Sequence, residues 1–291
     1  MRPTAILILL LAAVMHALWN YLAKSARDSS AFMWCLVASC CAFLVPVSIW
    51  LTFSGSPLPV RGLVLTAASG AVQATYFVTL ARAYRSGDLS VVYPLSRSIS
   101  LLLLPAMAFV FLGERLSGLG FAGIGAVVMG IYVLQMQEIS FRSLAKPILA
   151  LTQGPQLWAI ATGLATMLYS LVDKAGMGTG MHPLTYYNLT TFVVLCVLAP
   201  SAFQRRAAIR DEWRRGWWRI LLSGLLMPAS YGLALYIMKT DAASYVLAVR
   251  QVSVVMGVVI GSIVLREPYG GIRLAGGCFI FMGVLLIGMA R

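Results

Sequence analysis

Acidic side chains are scarce in this chain. Nine Asp and Glu stand among 291 residues, against 22 Lys and Arg, and all nine, from Asp28 to Glu267, fall at or near the ends of apolar stretches. That distribution leaves no deep carboxylate pair for acid–base hydrolysis. Histidine is scarcer still, with two copies, and neither HExxH nor GxSxG occurs, so the chain is not expected to be an enzyme. The five cysteines (Cys35, Cys40, Cys41, Cys196, Cys278) lie in apolar windows without metal-ligand spacing and read as packing residues. No metal or cofactor is expected. No Walker motif is present, and Gly118-Leu-Gly120-Phe-Ala-Gly123, a formal GxGxxG match, lacks the preceding soluble strand that nucleotide binding needs.

With 60% hydrophobic and only 11% charged residues, a water-soluble surface cannot be built, and the chain reads as an integral membrane protein. Windows of about 20 apolar residues place spans near 4–24, 30–53, 60–83, 89–112, 117–136, 155–175, 183–203, 217–238, 242–265 and 271–290. The first resembles a secretory signal peptide, but its apolar run continues through Leu18, Trp19 and Tyr21 and it has a counterpart in the second half, so it is expected to stay.

The two halves repeat at an offset of 153 residues: Arg97 with Arg250, Asp88 with Asp241, Ser100 with Ser253, Glu114 with Glu267, Gly123 with Gly276, Gly130 with Gly283 and Asn20 with Asp173. Five spans per half is odd, so the second half enters from the opposite side. The expected fold is an all-α membrane protein of ten transmembrane helices, built as two inverted five-helix repeats over 1–150 and 151–291. Most basic residues lie on the side opposite the termini, which by the charge rule puts both termini outside the cytoplasm. Most of that excess lies in QRRAAIRDEWRRGWWR, 204–219, beside a span; it reads as an anchor on anionic lipid and not as a nucleic-acid site.

Arg97 and Arg250 lie about nine residues into their spans, ~13 Å from an end at 1.5 Å per residue, near the midplane of a ~30 Å core. A charge there is costly and should face an interior or a wet cavity. The planar guanidinium suits carboxylate or phosphate, so one or both arginines are expected to bind an anionic substrate group. The structural alternative has them bonding backbone carbonyls or Ser100 and Ser253. Trp19, Tyr76, Tyr93, Tyr169, Tyr231 and Tyr245 are candidate cavity walls that would also accept an ammonium group. His16 is a candidate proton relay or helix tie, and Asn20 and Asp173, the latter beside Lys174, are candidate gate or packing residues. Glu114 and Glu267, beside Arg115 and Arg266, read as solvated helix-end charges or gates. Gly123, Gly130, Gly276 and Gly283 permit close helix packing, within a monomer or in a homodimer.

HALWNYLAK, YPLSRSISLLLLP with FLGERLSGLGFAGIGAVVMG, and the echo VRQVSVV with LREPYGGIRLAGGCFIFMG resemble the EamA group of the drug/metabolite transporter superfamily over essentially the whole chain. The HALWN opening is similar to a subgroup associated with phosphonate utilisation. The resemblance implies transport of small metabolites across a bacterial inner membrane. The expected activity is a secondary transporter that moves a small polar, anionic or zwitterionic solute by alternating access around a midplane site. A flippase for a lipid-linked phosphate, and a non-transporting receptor or structural subunit, are the alternatives.

Overall fold

The structure, a computed structural model, describes residues 1–24, 26–86, 89–134, 136, 154–256 and 270–290. Among these, ten helices follow one another: α1 (Pro3–Lys24), α2 (Ser29–Phe53), α3 (Val60–Ser86), α4 (Leu89–Leu112), α5 (Gly118–Leu134), α6 (Gly154–Met177), α7 (Pro183–Gln204), α8 (Arg206–Met238), α9 (Ala243–Arg250) and α10 (Gly270–Met289). Local chemistry sets several ends. Asp28 caps α2 by accepting from Ser30 N and Ala31 N, and His182 caps α7, where Pro183 fills a position whose N–H would go unpaired. Gly55 and Gly180 turn the chain after α2 and α6 at φ of 90° and 87°, a region open to residues without a Cβ.

By length and composition α1 to α4, α7 and α8 contain segments able to cross a membrane, and 118–133, 243–256 and 275–289 are shorter apolar helices. Large apolar side chains such as Phe53, Phe111, Phe203 and Phe281 face outward, as a lipid-bathed surface requires. This is a multi-pass membrane protein. Helix α6 occupies the expected sixth window but falls short in hydropathy, because Thr162, Thr166, Ser170 and Asp173 share one of its faces, and all four are buried. Two of them are satisfied along the helix, Thr162 Oγ1 by Trp158 O at 2.7 Å and Thr166 Oγ1 by Thr162 O at 2.8 Å.

Two elements depart from the expected windows. Helix α8 begins at Arg206, not 217, and bends at Gly216 (φ −145°, ψ 31°), so the basic segment continues into the span as helix. The ninth helix breaks at the arginine itself: α9 ends at Arg250, Gln251 N bonds Ala248 O at 3.0 Å, Val254 N bonds Gln251 O at 2.8 Å, and helix resumes over 252–256. These tighter i→i−3 bonds mark a 3₁₀ turn inside the segment. Residues 257–265 of the expected span lie outside the described residues.

The packing follows the 153-residue offset. Helix α1 packs on α8 as α6 does on α3, α2 packs on α8 as α7 does on α3, and α1 meets α9 as α6 meets α4; α5 packs on α10 and α2 on α7. One close crossing joins α5 and α10, where a Cβ added at Gly283 would stand 2.5 Å from Gly123 O and one at Gly130 would stand 2.7 Å from Gly276 O. The small-residue faces are thus used inside the chain, as backbone-to-backbone packing. The N-terminal ammonium donates to Ala290 O at 3.2 Å, which brings both termini to one end of the bundle.

Candidate functional site

Two buried arginines, one from each half, converge on a single imidazole. His16 projects from α1, and its Nε2 lies 3.3 Å from Arg97 Nη2 of α4 while its Nδ1 lies 3.2 Å from Arg250 Nη2 at the break in α9. Arg97 is 5% exposed and Arg250 7%, which for chains this polar means they are enclosed by protein. Trp19 Nε1 also donates to His16 Nδ1, at 3.2 Å, with the two rings edge to face. A neutral imidazole offers one lone pair and one N–H. Placing the lone pair at Nδ1 serves Trp19 and Arg250 together and leaves the Nε2 proton facing another guanidinium. At the imidazole, donors outnumber acceptors.

Further contacts hold each guanidinium. Arg97 Nη2 donates to Tyr76 OH at 3.4 Å. The Arg250 guanidinium lies over the Tyr231 ring, 5.1 Å from its centre, and its buried Nε has no hydrogen-bond acceptor among the described residues. His16, Trp19, Tyr76, Tyr169, Tyr231 and Arg250 border a cavity of about 30 Å³, closed further by Gln73, Phe77, Tyr187 and Met227. That is room for roughly one water. Rings meet edge to face around it, Tyr76 with Tyr169 at 5.6 Å and Tyr169 with Tyr231 at 6.1 Å.

Behind Tyr231 lies the acid that the sequence hides. Asp173, expected at a helix end beside Lys174, has no exposed surface; side chains from α3, α7 and α8 close over it. Its Oδ1 accepts from Ser69 Oγ at 2.5 Å and Tyr186 OH at 3.0 Å, and its Oδ2 from Tyr231 OH at 2.5 Å. Gln73 Nε2 stands 3.1 Å from Ser69 Oγ. Every bond runs toward the carboxylate, the pattern an ionised acid accepts. Through the Tyr231 ring this negative charge backs onto Arg250. Lys174 turns away and donates to Met238 O and Asp241 O, both at 2.7 Å.

Other expected residues are placed elsewhere. Ser100 Oγ donates to Arg97 O at 2.9 Å, so it ties backbone and not the guanidinium, and no hydrogen bond among the described residues joins Ser253 to Arg250. Asn20 Nδ2 bonds His16 O of its own helix at 2.8 Å and makes no bond to Asp173. Tyr245 is remote from the cavity: its hydroxyl accepts from Ser117 N at 3.3 Å and its ring fills the space above Gly120. Glu114 is a tie between elements and not a solvated end charge. Its Oε1 accepts from Ala243 N at 2.8 Å and its Oε2 meets Ser244 Oγ at 3.4 Å, capping α9 where the helix dipole favours an anion. Glu267 and the side chain of Tyr93 lie outside the described residues. Ser69, Gln73, Tyr186 and Tyr187 were not singled out from sequence; their only signal is polar and aromatic residues inside apolar windows.

Residues 154–289 match the model of the EamA-like transporter family. No curated protein matches the chain. A solved crystal structure of a protein 14% identical superposes with a TM-score of 0.70 over 99% of this chain and 99% of that one, a likeness of fold. The second half of the chain is thus an EamA-like transporter domain, within a multi-pass membrane protein.

Proposed function

We propose that this protein is a secondary transporter of the drug/metabolite type that carries a small polar, anionic or zwitterionic metabolite unchanged across a bacterial inner membrane. The observation that carries this reading is the pair of enclosed guanidiniums, one per half, meeting at an imidazole that cannot accept from both. An anionic group entering between Arg97 and Arg250 meets two guanidiniums whose planar forks suit carboxylate or phosphate, and the surrounding rings suit an ammonium group on the same solute.

In this reading residues 1–150 and 151–291 are inverted five-helix repeats, and the contacts that interchange under the 153-residue offset allow each half to adopt the other's arrangement. The cavity, sized for one water, then belongs to an empty closed state. His16 and the Glu114 cap of α9 are the elements that must yield for it to open. Enclosure of the arginines by protein supports a soluble solute over a lipid-linked phosphate, because a lipid tail needs a lateral exit at the arginines.

The test begins with thermal-shift screening of the purified protein against amino acids, aminophosphonates and quaternary amines, followed by counterflow of the best binder in proteoliposomes. Arg97→Gln and Arg250→Gln are each expected to lower counterflow by at least about 30-fold, the equivalent of ~2 kcal/mol for a lost charged partner. Full transport by both variants overturns the proposal.

A further inference from the structure

A second cavity lies away from the arginines, and it has a different chemistry. It is an open groove of about 700 Å³ between α2, α7 and α8, with Ala42, Phe43, Phe203 and Leu221 among its apolar lining. Arg206 and Arg210 stand at one end. Both are exposed and, among the described residues, make no ion pair or hydrogen bond, whereas three charges beside them are occupied: Arg205 with Asp28 at 3.0 Å, Arg215 with Asp211 at 3.2 Å, and Glu212, whose Oε1 accepts from Arg27 N and Asp28 N; Arg214, exposed and likewise without such a bond, does not line the groove. Among the described residues, no carboxylate lines the groove. Trp34, in the first turns of α2, lines it as well, and its buried Nε1 has no acceptor.

Length adds to charge. Trp34 and Phe43 are nine residues apart on α2, ~13 Å at 1.5 Å per residue, close to the ~15 Å depth of one leaflet. An apolar channel one leaflet deep, with two unpaired guanidiniums at the rim, matches an amphiphile with a long tail and a negative head.

We propose that this groove binds one anionic phospholipid, its acyl chain laid along α2 between α7 and α8 and its phosphate between Arg206 and Arg210. The site is separate from the Arg97–His16–Arg250 cluster and shares no lining residue with its cavity. The acyl chain supplies affinity through burial of methylene groups, and the two arginines supply selection for the charged head. Because Glu212 ties the same basic segment to the start of α2, a lipid held there braces the junction of α1, α2 and α8.

Native mass spectrometry of the full-length protein in detergent, titrated with dioleoyl phosphatidylglycerol or dioleoyl phosphatidylcholine, tests this. One phosphatidylglycerol is expected to stay bound at lipid ratios where phosphatidylcholine does not. Arg206→Gln/Arg210→Gln should weaken that binding by about 10- to 30-fold. Arg2→Gln/Arg61→Gln, an equal charge loss at exposed sites off the groove, should leave it intact. Ala42→Trp, which fills the channel, should remove the bound lipid. Equal binding of the two lipids, unchanged binding by the rim variant, or a lipid-free dimer cross-linked through Ala42→Cys in both copies would each overturn the proposal.

Discussion

The bond between Tyr231 and Asp173 is where the energetics of the buried network can be read directly. Tyr231→Phe removes the hydroxyl that Oδ2 of Asp173 accepts and keeps the ring beneath Arg250, so the hydrogen bond is lost while the cation–π contact remains. Asp173→Asn keeps the shape but replaces one acceptor with a donor amide, which must then face either Tyr231 OH or the pair Ser69 and Tyr186. A hydrogen bond to a charged group contributes about 1.5–3 kcal/mol, and a buried partner left unpaired costs about 1–3 kcal/mol. Tyr231→Phe is therefore expected to cost about 2 kcal/mol and Asp173→Asn about 3–5 kcal/mol. Since the two groups share one bond, the double variant should cost less than the sum, with a coupling of about 1–3 kcal/mol. Apparent melting temperatures of the purified proteins, read by intrinsic fluorescence, would show this as drops of about 2–4 °C per kcal/mol and a double variant near Asp173→Asn alone. Strict additivity, or an Asp173→Asn protein as stable as the parent, would refute the charged network.

Other expectations follow from single contacts. His182 accepts from Leu184 N at the start of α7, and burial together with the nearby Lys239 charge holds its pKa below the ordinary 6.5. A base whose folded pKa is depressed binds fewer protons folded than unfolded, so its stabilisation is complete above pH ~6.5 and is lost progressively as the pH falls from there through the lower folded pKa. Melting temperature should decline below pH ~6.5, and His182→Asn, which keeps a cap acceptor that does not titrate, should shrink that decline. Gly283→Ala, which sets a Cβ against Gly123 O, should destabilise by at least about 1–3 kcal/mol, whereas Gly125→Ala, with open space around it, should not; relative melting temperatures decide this. Glu114→Ala removes the α9 cap and should cost about 1 kcal/mol while raising hydrogen exchange at Ala243 and Ser244.

Much of the architecture was legible because it is periodic. Apolar runs and the 153-residue echo located every described helix, and the charge in mid-run singled out Arg97 and Arg250. What escaped depends on which helices touch. Asp173 counts as a helix-end residue by position, yet α3, α7 and α8 close over it; a linear count measures distance along a helix and not cover from its neighbours. Tyr245 and Glu114 share the opposite reason, since the α4–α5 loop folds over the start of α9, a contact between residues 129 apart. The break at Arg250 was hidden because residues 243–256 read as one apolar run; only the backbone bonds show where it narrows.

If the proposed alternating access holds, the α5–α10 crossing sets its kinematics. Backbones meet at Gly123 against Gly283 and again at Gly130 against Gly276, two points about 10 Å apart along α5 at 1.5 Å per residue. One pinned point lets two rods scissor and twist, whereas two pinned points leave rotation about the line that joins them. With these helices drawn one from each half, that line would be the axle for the rocking of one half against the other that the proposed transport cycle calls for. Displacement then grows in proportion to distance from it, so a small angular change at the glycines becomes a large opening wherever the bundle is widest.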